Sequence, residues 1–308
     1  MGRYLLSRLF QAAISVLAVS VIVFLLGRLA GDPVDLLLEM GATQEARQNL
    51  IRELGLDRSY AEQFVRFISA LAVGNFGRSV INGAPVSELV RDAFGNTIYL
   101  GLAAMIVAIA IALPIGVFSA AHRNSVFDRG FRVFAILGQS APPFWVGIML
   151  IIVFGVWLRW LPTSGMGGLS HVVLPAVTLG WYLAAGLMRL TRTSMLEVLR
   201  ADYVRLARAK GVPEATVIWK HAFKNAALPV LTFTALLFVS LLSGTVVTET
   251  VFAWPGLGRL LVQSVTWRDY PVIEAVVLLL SVLYLGINLL VDILYAYLNP
   301  KIRFGSGS

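Results

Sequence analysis

The sequence contains no cysteine. Disulfides, thiolate nucleophiles and cysteine-ligated zinc or iron–sulfur sites are therefore excluded. Its three histidines, His122, His171 and His221, are scattered and form no HxxxH pair, which argues against a histidine metal site. Charge is also scarce: Asp, Glu, Lys and Arg make up 14% of the 308 residues. A soluble domain carries roughly 25%. With 58% hydrophobic residues and a mean hydropathy of +0.79, the chain has too little polar surface for an ordinary soluble enzyme. It is equally too rich in Leu, Ile, Val and Phe for a disordered one.

What fills the sequence instead is a series of apolar runs. A bilayer core of about 30 Å takes about 20 apolar residues in a helix. Charge-free windows near that length run over Leu9–Gly27, Thr97–Ala121, Val133–Leu158, Val172–Met188, Ala226–Thr248 and Ala275–Val291. They predict an all-α integral membrane protein with six transmembrane helices. The first run is longer than the core of a signal peptide and no A-x-A site follows it, so it reads as a retained helix.

The net charge of +8 takes its meaning from where it lies. The N-terminus, residues 122–132, residues 189–225 and the C-terminus hold 15 of the 25 basic residues, all four lysines included, against five acids. The alternate loops hold ten basic and twelve acidic residues. Such a bias places both termini in the cytoplasm. Topology then accounts for the positive charge, and no nucleic-acid partner is needed.

Between the first two spans lies an external segment, residues 29–96, with helical signals of its own. Thr43 suits the cap of a helix through Leu54, ended by Gly55 in a left-handed turn. Ser59 with Glu62 has capping-box spacing for a second helix to about Ala72. Phe64, Val65, Ile68 and Leu71 are expected to form its apolar face. A second external stretch, Phe252–Tyr270, carries Trp254–Pro255–Gly256–Leu257–Gly258–Arg259, a turn that cannot continue a preceding helix. Trp254, Trp267 and Tyr270 suit the headgroup region.

On the cytoplasmic side, residues 189–225 are too long for a mere turn. From Thr193, Leu196, Leu199, Tyr203 and Leu206 recur at helical steps, with Arg200, Arg205, Arg208 and Lys210 on the remaining surface. Gly211 stops this helix, and Pro213 with Glu214 starts another, because Pro fits a first turn and an acid favours the N-terminal dipole. Two helices meeting at Lys210–Gly211–Val212 are expected. An interfacial helix lying on anionic lipid is the alternative.

Equally informative is the chemistry that the spans lack. No apolar window contains a charge away from its ends, although ion-coupled carriers depend on such groups despite a cost of about 2.5–3.5 kcal/mol each. There is no GxxxxGK followed by Ser or Thr, so no P-loop for ATP. No Ser/His/Asp, HExxH or paired-carboxylate arrangement stands out. The chain reads as something that moves a solute on another subunit's energy. The candidate path-lining groups are mild: Gln139, Ser140, Thr178, Tyr182, Ser240, Ser243 and Thr245, with Pro142–Pro143 kinking the third span. Ser and Thr serve equally often in helix–helix contacts.

Across Tyr4–Arg303 the chain resembles the membrane permease subunits of bacterial ABC importers for dipeptides and oligopeptides, a family that also includes glutathione and nickel importers. The matching stretches are Gly31–Asp32–Pro33, Leu54–Gly55–Leu56–Asp57, Gly74–Asn75–Phe76–Gly77–Arg78–Ser79, Asp202–Tyr203–Val204–Arg205, Ala207–Arg208–Ala209–Lys210–Gly211, Trp254–Pro255–Gly256–Leu257–Gly258–Arg259, Arg268–Asp269–Tyr270–Pro271–Val272–Ile273 and Asn299–Pro300. The general EAA-x3-G pattern of ABC permeases is imperfect here: Arg205 and Leu206 stand where Glu and the first Ala belong. Asn75 stands where Asp is more usual.

The resemblance implies a type I importer architecture. The N-terminus and first span take residues 1–28, the external helical segment 29–96 and a five-helix core 97–303. The coupling segment lies at 193–224, and residues 304–308 read as a tail or tag. It further implies a second homologous permease, unlike this one, two ABC ATPases that use ATP and Mg, an extracytoplasmic substrate-binding protein, and a place in the inner membrane. No cofactor is expected on this chain. Tyr203, Arg205, Ala207, Arg208, Ala209, Lys210, Gly211 and Val212 would couple to the ATPase. Gly31, Asp32, Pro33, Trp254 and Asp269 would face the external mouth. The expected cargo is a short peptide, with glutathione, a nickel chelate or an opine-like solute as alternatives. An ion-coupled secondary carrier is the reading from another class.

Overall fold

The computed structural model describes residues 2–29, 34, 43–53 and 55–298. Among them the chain is helical, with one isolated β-bridge between Arg78 and Pro85. The helices are α1 (Gly2–Leu29), α2 (Gln44–Glu53), α3 (Tyr60–Ala72), α4 (Val86–Ala121), α5 (Val126–Ser140) and α6 (Pro143–Leu150), which runs on as a wide π-turn over Ile151–Trp157. Then follow α7 (Leu169–Val198), α8 (Asp202–Ala209), the single turn α9 (Glu214–Thr216) with a second π segment at Val217–Ala222, α10 (Phe223–Val251), α11 (Leu257–Thr266) and α12 (Tyr270–Leu298).

By length and apolar composition, α1 over Ser7–Gly27, α4, α7 and α12 over Tyr270–Leu289 each suit a membrane crossing. The expected third span is no gently kinked helix. Its two halves, α5 and α6 with the π-turn, meet at 104°. The cause is local: Ala141 and Pro142 are both extended, at ψ 128° and 131°, because a residue preceding proline is forced out of the helical region. The fifth expected window, Ala226–Thr248, lies wholly within α10. Among the described residues α1, α4, α7 and α12 make four spans by length and composition, five with the bent pair counted as one, so that measure does not reach the six expected.

The chain divides into two compact units. The first contains residues 1–95 and 256–290. Thr43 and Ser59 accept hydrogen bonds from the backbone N–H of Ala46 and Glu62, at 3.2 and 3.3 Å, and so cap α2 and α3 as their spacing predicts. Gly55 takes the left-handed conformation at φ 67°. The buried face of α3 differs from expectation: Val65 is 66% exposed, and Gln63 is buried in its place. Its orientation follows the aromatic contact with α1, where Phe24 meets Phe64 and Phe67 at 5.4 and 5.7 Å. Gln63 is accommodated by donating to the carbonyl of Arg58 at 2.9 Å. A separate core joins Val86, Val90 and Ala93 of α4 to Leu257 of α11 and to Val272, Ala275 and Val276 of α12.

The second unit, residues 96–255, is built on α4, α7 and α10. Its core includes Leu100, Ala104, Ala108, Leu183, Leu187 and Val230. Two glycines let α4 and α7 approach. A Cβ on Gly180 would stand 2.9 Å from the carbonyl oxygen of Ala104, and one on Gly116 would stand 2.9 Å from that of Met188. Small residues at a helix interface are the usual means of close packing in membranes. Because 104 pairs with 180 and 116 with 188, α4 and α7 run in the same direction. Helix α10 runs the other way, with Leu241 against Gly101 and Phe233 near Gly186. Residues 122–168 therefore return along the length of α4 before α7 begins.

Candidate coupling segment and translocation groove

Helix α7 does not stop at the end of its apolar window but continues to Val198. Residues 199–201 then turn the chain, and α8 starts at Asp202 with Ala201 extended at ψ 147°. The expected single stripe from Leu196 to Leu206 is thus cut in two. Beyond the cut the buried positions are Val204 and Ala207, which pack with Val217 and with flanking Val198, Leu199 and Val212. Tyr203 and Leu206 face outward instead, 45% and 56% exposed. The apolar stripe runs on in register through Leu199–Ala201 because those residues carry no turn signal.

The tip behaves as its residues predict. Lys210 closes α8, Gly211 is left-handed at φ 74°, and Pro213 extends into α9. Nothing lies within 4 Å of the place a Cβ on Gly211 would occupy, so the tip is open. Arg208 grips Glu214 across the turn with two bonds, Nη2 to Oε1 at 2.6 Å and Nε to Oε2 at 3.1 Å. These bonds hold the Glu214 carboxyl below the ordinary glutamate range and push the Arg208 guanidinium up. Tyr203 accepts at its hydroxyl from Nδ2 of Asn225, 2.8 Å away, tying α8 back to α10. Arg205 sits 3.5 Å from Asp202 on the exposed side. Ala209 and Lys210 are exposed, and Val212 is half-buried. A rigid, open-tipped hairpin of two short helices is therefore suspended between α7 and α10.

The stretch of α7 that leads to this hairpin is fixed by a cluster that sequence reasoning missed. Asp128, near the start of α5, is fully buried. It receives Nε and Nη2 of Arg192 at 2.7 and 3.0 Å, the hydroxyl of Ser119, and the backbone N–H of Asn124 at 3.0 Å. The pair joins the ends of α4, α5 and α7. Nothing in the sequence links these two residues, 64 positions apart, and each reads there as an ordinary loop charge.

Higher on α7, Tyr182, Gly186, Arg189 and Thr193 share one face and line a groove of about 480 Å³ with Gln139 and Phe233. Of the seven candidate path residues, Gln139 and Tyr182 lie here. Thr178 does not. It is buried, and its hydroxyl donates to the carbonyl of Leu174 at 2.8 Å. Thr245 is buried as well, whereas Ser140 is exposed at the end of α5. Ser240 is exposed on α10 and donates to Leu236 at 3.3 Å. The side chain of Ser243 lies outside the described residues.

The external-mouth candidates are also redistributed. Trp254 is 1% exposed. Its ring stacks on Tyr99 at 5.9 Å and its Nε1 donates to the Asn96 carbonyl at 3.0 Å, while Asn96 Nδ2 donates to the Pro255 carbonyl at 2.9 Å. Glu249, whose carbonyl accepts from the Trp254 N–H, is itself buried and accepts from the Thr97 hydroxyl at 2.8 Å. Asp269 is 4% exposed and accepts from the Ser79 hydroxyl and from the Val80 N–H. Trp254 and Asp269 are thus internal locks: the first bonds the backbone of α4 at Asn96, the second the turn at Ser79–Val80. Tyr270 is buried too, so of the three aromatics suited to headgroups only Trp267 is exposed. Gly31, Asp32 and Pro33 lie outside the described residues. The Asn75 departure carries little cost: its Oδ1 accepts from the Gly77 N–H at 3.0 Å, a bond that an aspartate oxygen would make equally well.

Comparison with known proteins agrees with this architecture. Residues 112–304 match the family described as binding-protein-dependent transport system inner membrane component, and residues 1–101 match its N-terminal family. The glutathione transport system permease protein GsiC of Salmonella paratyphi A is 44% identical over 305 residues, covering 99% of this chain and all of that protein. Its counterpart in Escherichia coli K12 is 43% identical over the same span. An amino acid ABC transporter structure with histidines aligns with 68% of this chain and 94% of its own at TM-score 0.51 and 16% identity. The MetNI methionine ABC transporter, in an inward-facing form, covers 66% and 95% at TM-score 0.51 and 18% identity. At those identities the likeness is one of fold. The chain belongs to the family of inner-membrane components of binding-protein-dependent transport systems.

Proposed function

We propose that this chain is the permease half of an ATP-driven importer for short peptides, with glutathione, itself a tripeptide, the favoured cargo. The similarity to glutathione transport system permeases supports that choice, and a groove of uncharged polar groups and one arginine suits a peptide backbone. A second, unlike permease would complete the pathway. Two ABC ATPases would bind ATP and Mg, and an external binding protein would deliver the solute. We further propose six crossings with both termini in the cytoplasm. The parallel course of α4 and α7 supports this, since the bent α5–α6 pair must then cross between them.

The observation that carries the reading is the hairpin at residues 202–216. It is rigid through Arg208–Glu214, open at Gly211 and anchored by Val204 and Ala207 on Val217, Val198 and Leu199. Such a peg transmits a push from a closing ATPase dimer to α7 and α10 together. Solubilising the chain from its native membrane in mild detergent tests this directly. Two P-loop ATPases and a second permease should co-purify, and a Gly211→Asp variant should assemble yet lose stimulated ATP hydrolysis and import. Normal transport by that variant would remove the coupling role. A lone protein in several detergents would revive the ion-coupled carrier.

A further inference from the structure

Two arginines lie three residues apart near the end of α7, and the structure treats them differently. Arg192 is consumed by the buried Asp128. Arg189 is exposed and has no ion pair or hydrogen bond among the described residues, though it lines the groove with Gln139, Tyr182 and Thr193. An unpaired guanidinium facing lipid tails is costly and would be drawn to the interface. One facing a groove with three other polar side chains has water or a solute to bind. Tyr182, Gly186, Arg189 and Thr193 follow one another at steps of four, three and four, so the groove runs along a single helix face that ends toward Arg189 and Thr193. Gly186 faces Phe233 across it, and a methyl there would stand in ordinary contact with that ring at 3.5 Å.

We propose that Arg189 recognises a carboxylate of the transported solute and thereby selects free-acid peptides as they leave the groove. The chemistry follows from the donor set. A guanidinium offers a planar fork that matches a carboxylate in two parallel bonds. Gln139, Tyr182 and Thr193 offer neutral donors and acceptors suited to amide groups. The groove contains no acidic side chain to neutralise the arginine, so the solute supplies the counter-charge. This inference rests on the importer reading and adds to it a site within the membrane chain, apart from any selection by an external binding protein.

The test uses the assembled transporter in proteoliposomes, with its binding protein and radiolabelled glutathione or dialanine as probes. Import per ATP hydrolysed is compared for the native chain, Arg189→Gln and Arg189→Lys. We expect Arg189→Gln to lower import of both probes about tenfold or more, the scale of one lost charge-assisted bond. Binding-protein-stimulated ATP hydrolysis should stay within twofold, and Arg189→Lys should recover at least half of import. Undiminished import by Arg189→Gln overturns the proposal. So does equal loss in the lysine and glutamine variants, which would make shape the determinant, and so does parallel loss of stimulated hydrolysis, which would make the residue part of coupling. If the native assembly imports neither probe, the importer reading fails and this inference with it.

Discussion

The stretch at residues 252–270 and the hairpin at residues 202–216 both carry Gly, Pro and conspicuous side chains, yet they use them oppositely. In the first, Trp254 and Asp269 point inward and satisfy the groups around them. In the second, Tyr203, Leu206 and Lys210 point outward, and small Val204 and Ala207 form the packing layer. A distinctive residue in a motif is therefore no guide to a surface. Burial of its neighbours decides whether it locks the fold or meets a partner.

Substitution of Trp254 by Ala should give the largest effect. It removes a fully buried indole, its stacking on Tyr99 and the Nε1 bond to Asn96, for a loss of about 3–5 kcal/mol. The expected result is a large fall in thermal midpoint in detergent and poor recovery of folded chain. Near-native stability would place Trp254 among the residues that serve a partner. Asp269→Ala should follow at about 1–3 kcal/mol, because the Ser79 hydroxyl and Val80 N–H lose their acceptor. The same thermal measurement checks it.

The hairpin should answer differently. Gly211→Ala meets no atom, so its cost is the left-handed backbone alone, about 1–2 kcal/mol. The thermal midpoint should therefore fall no further than for Asp269→Ala, while import coupled to hydrolysis declines. If the midpoint fell as far as for Trp254→Ala, the distinction between lock and peg would collapse.

The helices themselves were largely legible. Thr43 and Ser59 caps, the Gly55 and Gly211 stops and the Pro142–Pro143 break all act within a few residues, where backbone sterics and caps decide. Hidden from the sequence were contacts between distant segments. Asp128 with Arg192, and Ser79 with Asp269, join positions that no period relates. Helix α11 was missed although Leu257, Leu260, Leu261 and Ser264 fall at i, i+3, i+4 and i+7, because the Pro–Gly turn before it is the stronger local signal. The α3 face was off by about one position, since Phe24 on another helix set the rotation. Of the path residues, Thr178 was unreadable in principle. A threonine in a span bonds its own helix as readily as it lines a channel.

The smallest expected effect concerns the pair that stiffens the peg. Arg208 and Glu214 side chains are 40% and 57% exposed, and exposed ion pairs contribute about 0.2–1 kcal/mol even in good geometry. Glu214→Gln should therefore leave the thermal midpoint nearly unchanged. Because Arg208 lowers the folded pKa of Glu214, the pair's contribution is fully present above the ordinary glutamate range. It is lost as pH falls through the lowered value. Between pH 6 and 8 the pair stays intact, so the ratio of variant to native import should be flat across that window. Import should decline with Glu214→Gln because a looser hairpin transmits less of the ATPase stroke. The charge-swapped double variant, Arg208→Glu with Glu214→Arg, should restore part of it. A strong pH dependence near neutrality would mean that another titrating group governs the hairpin. Full import by the single variant would mean that the peg is held by Val204, Ala207 and Val217 alone, and that packing rather than charge sets its stiffness.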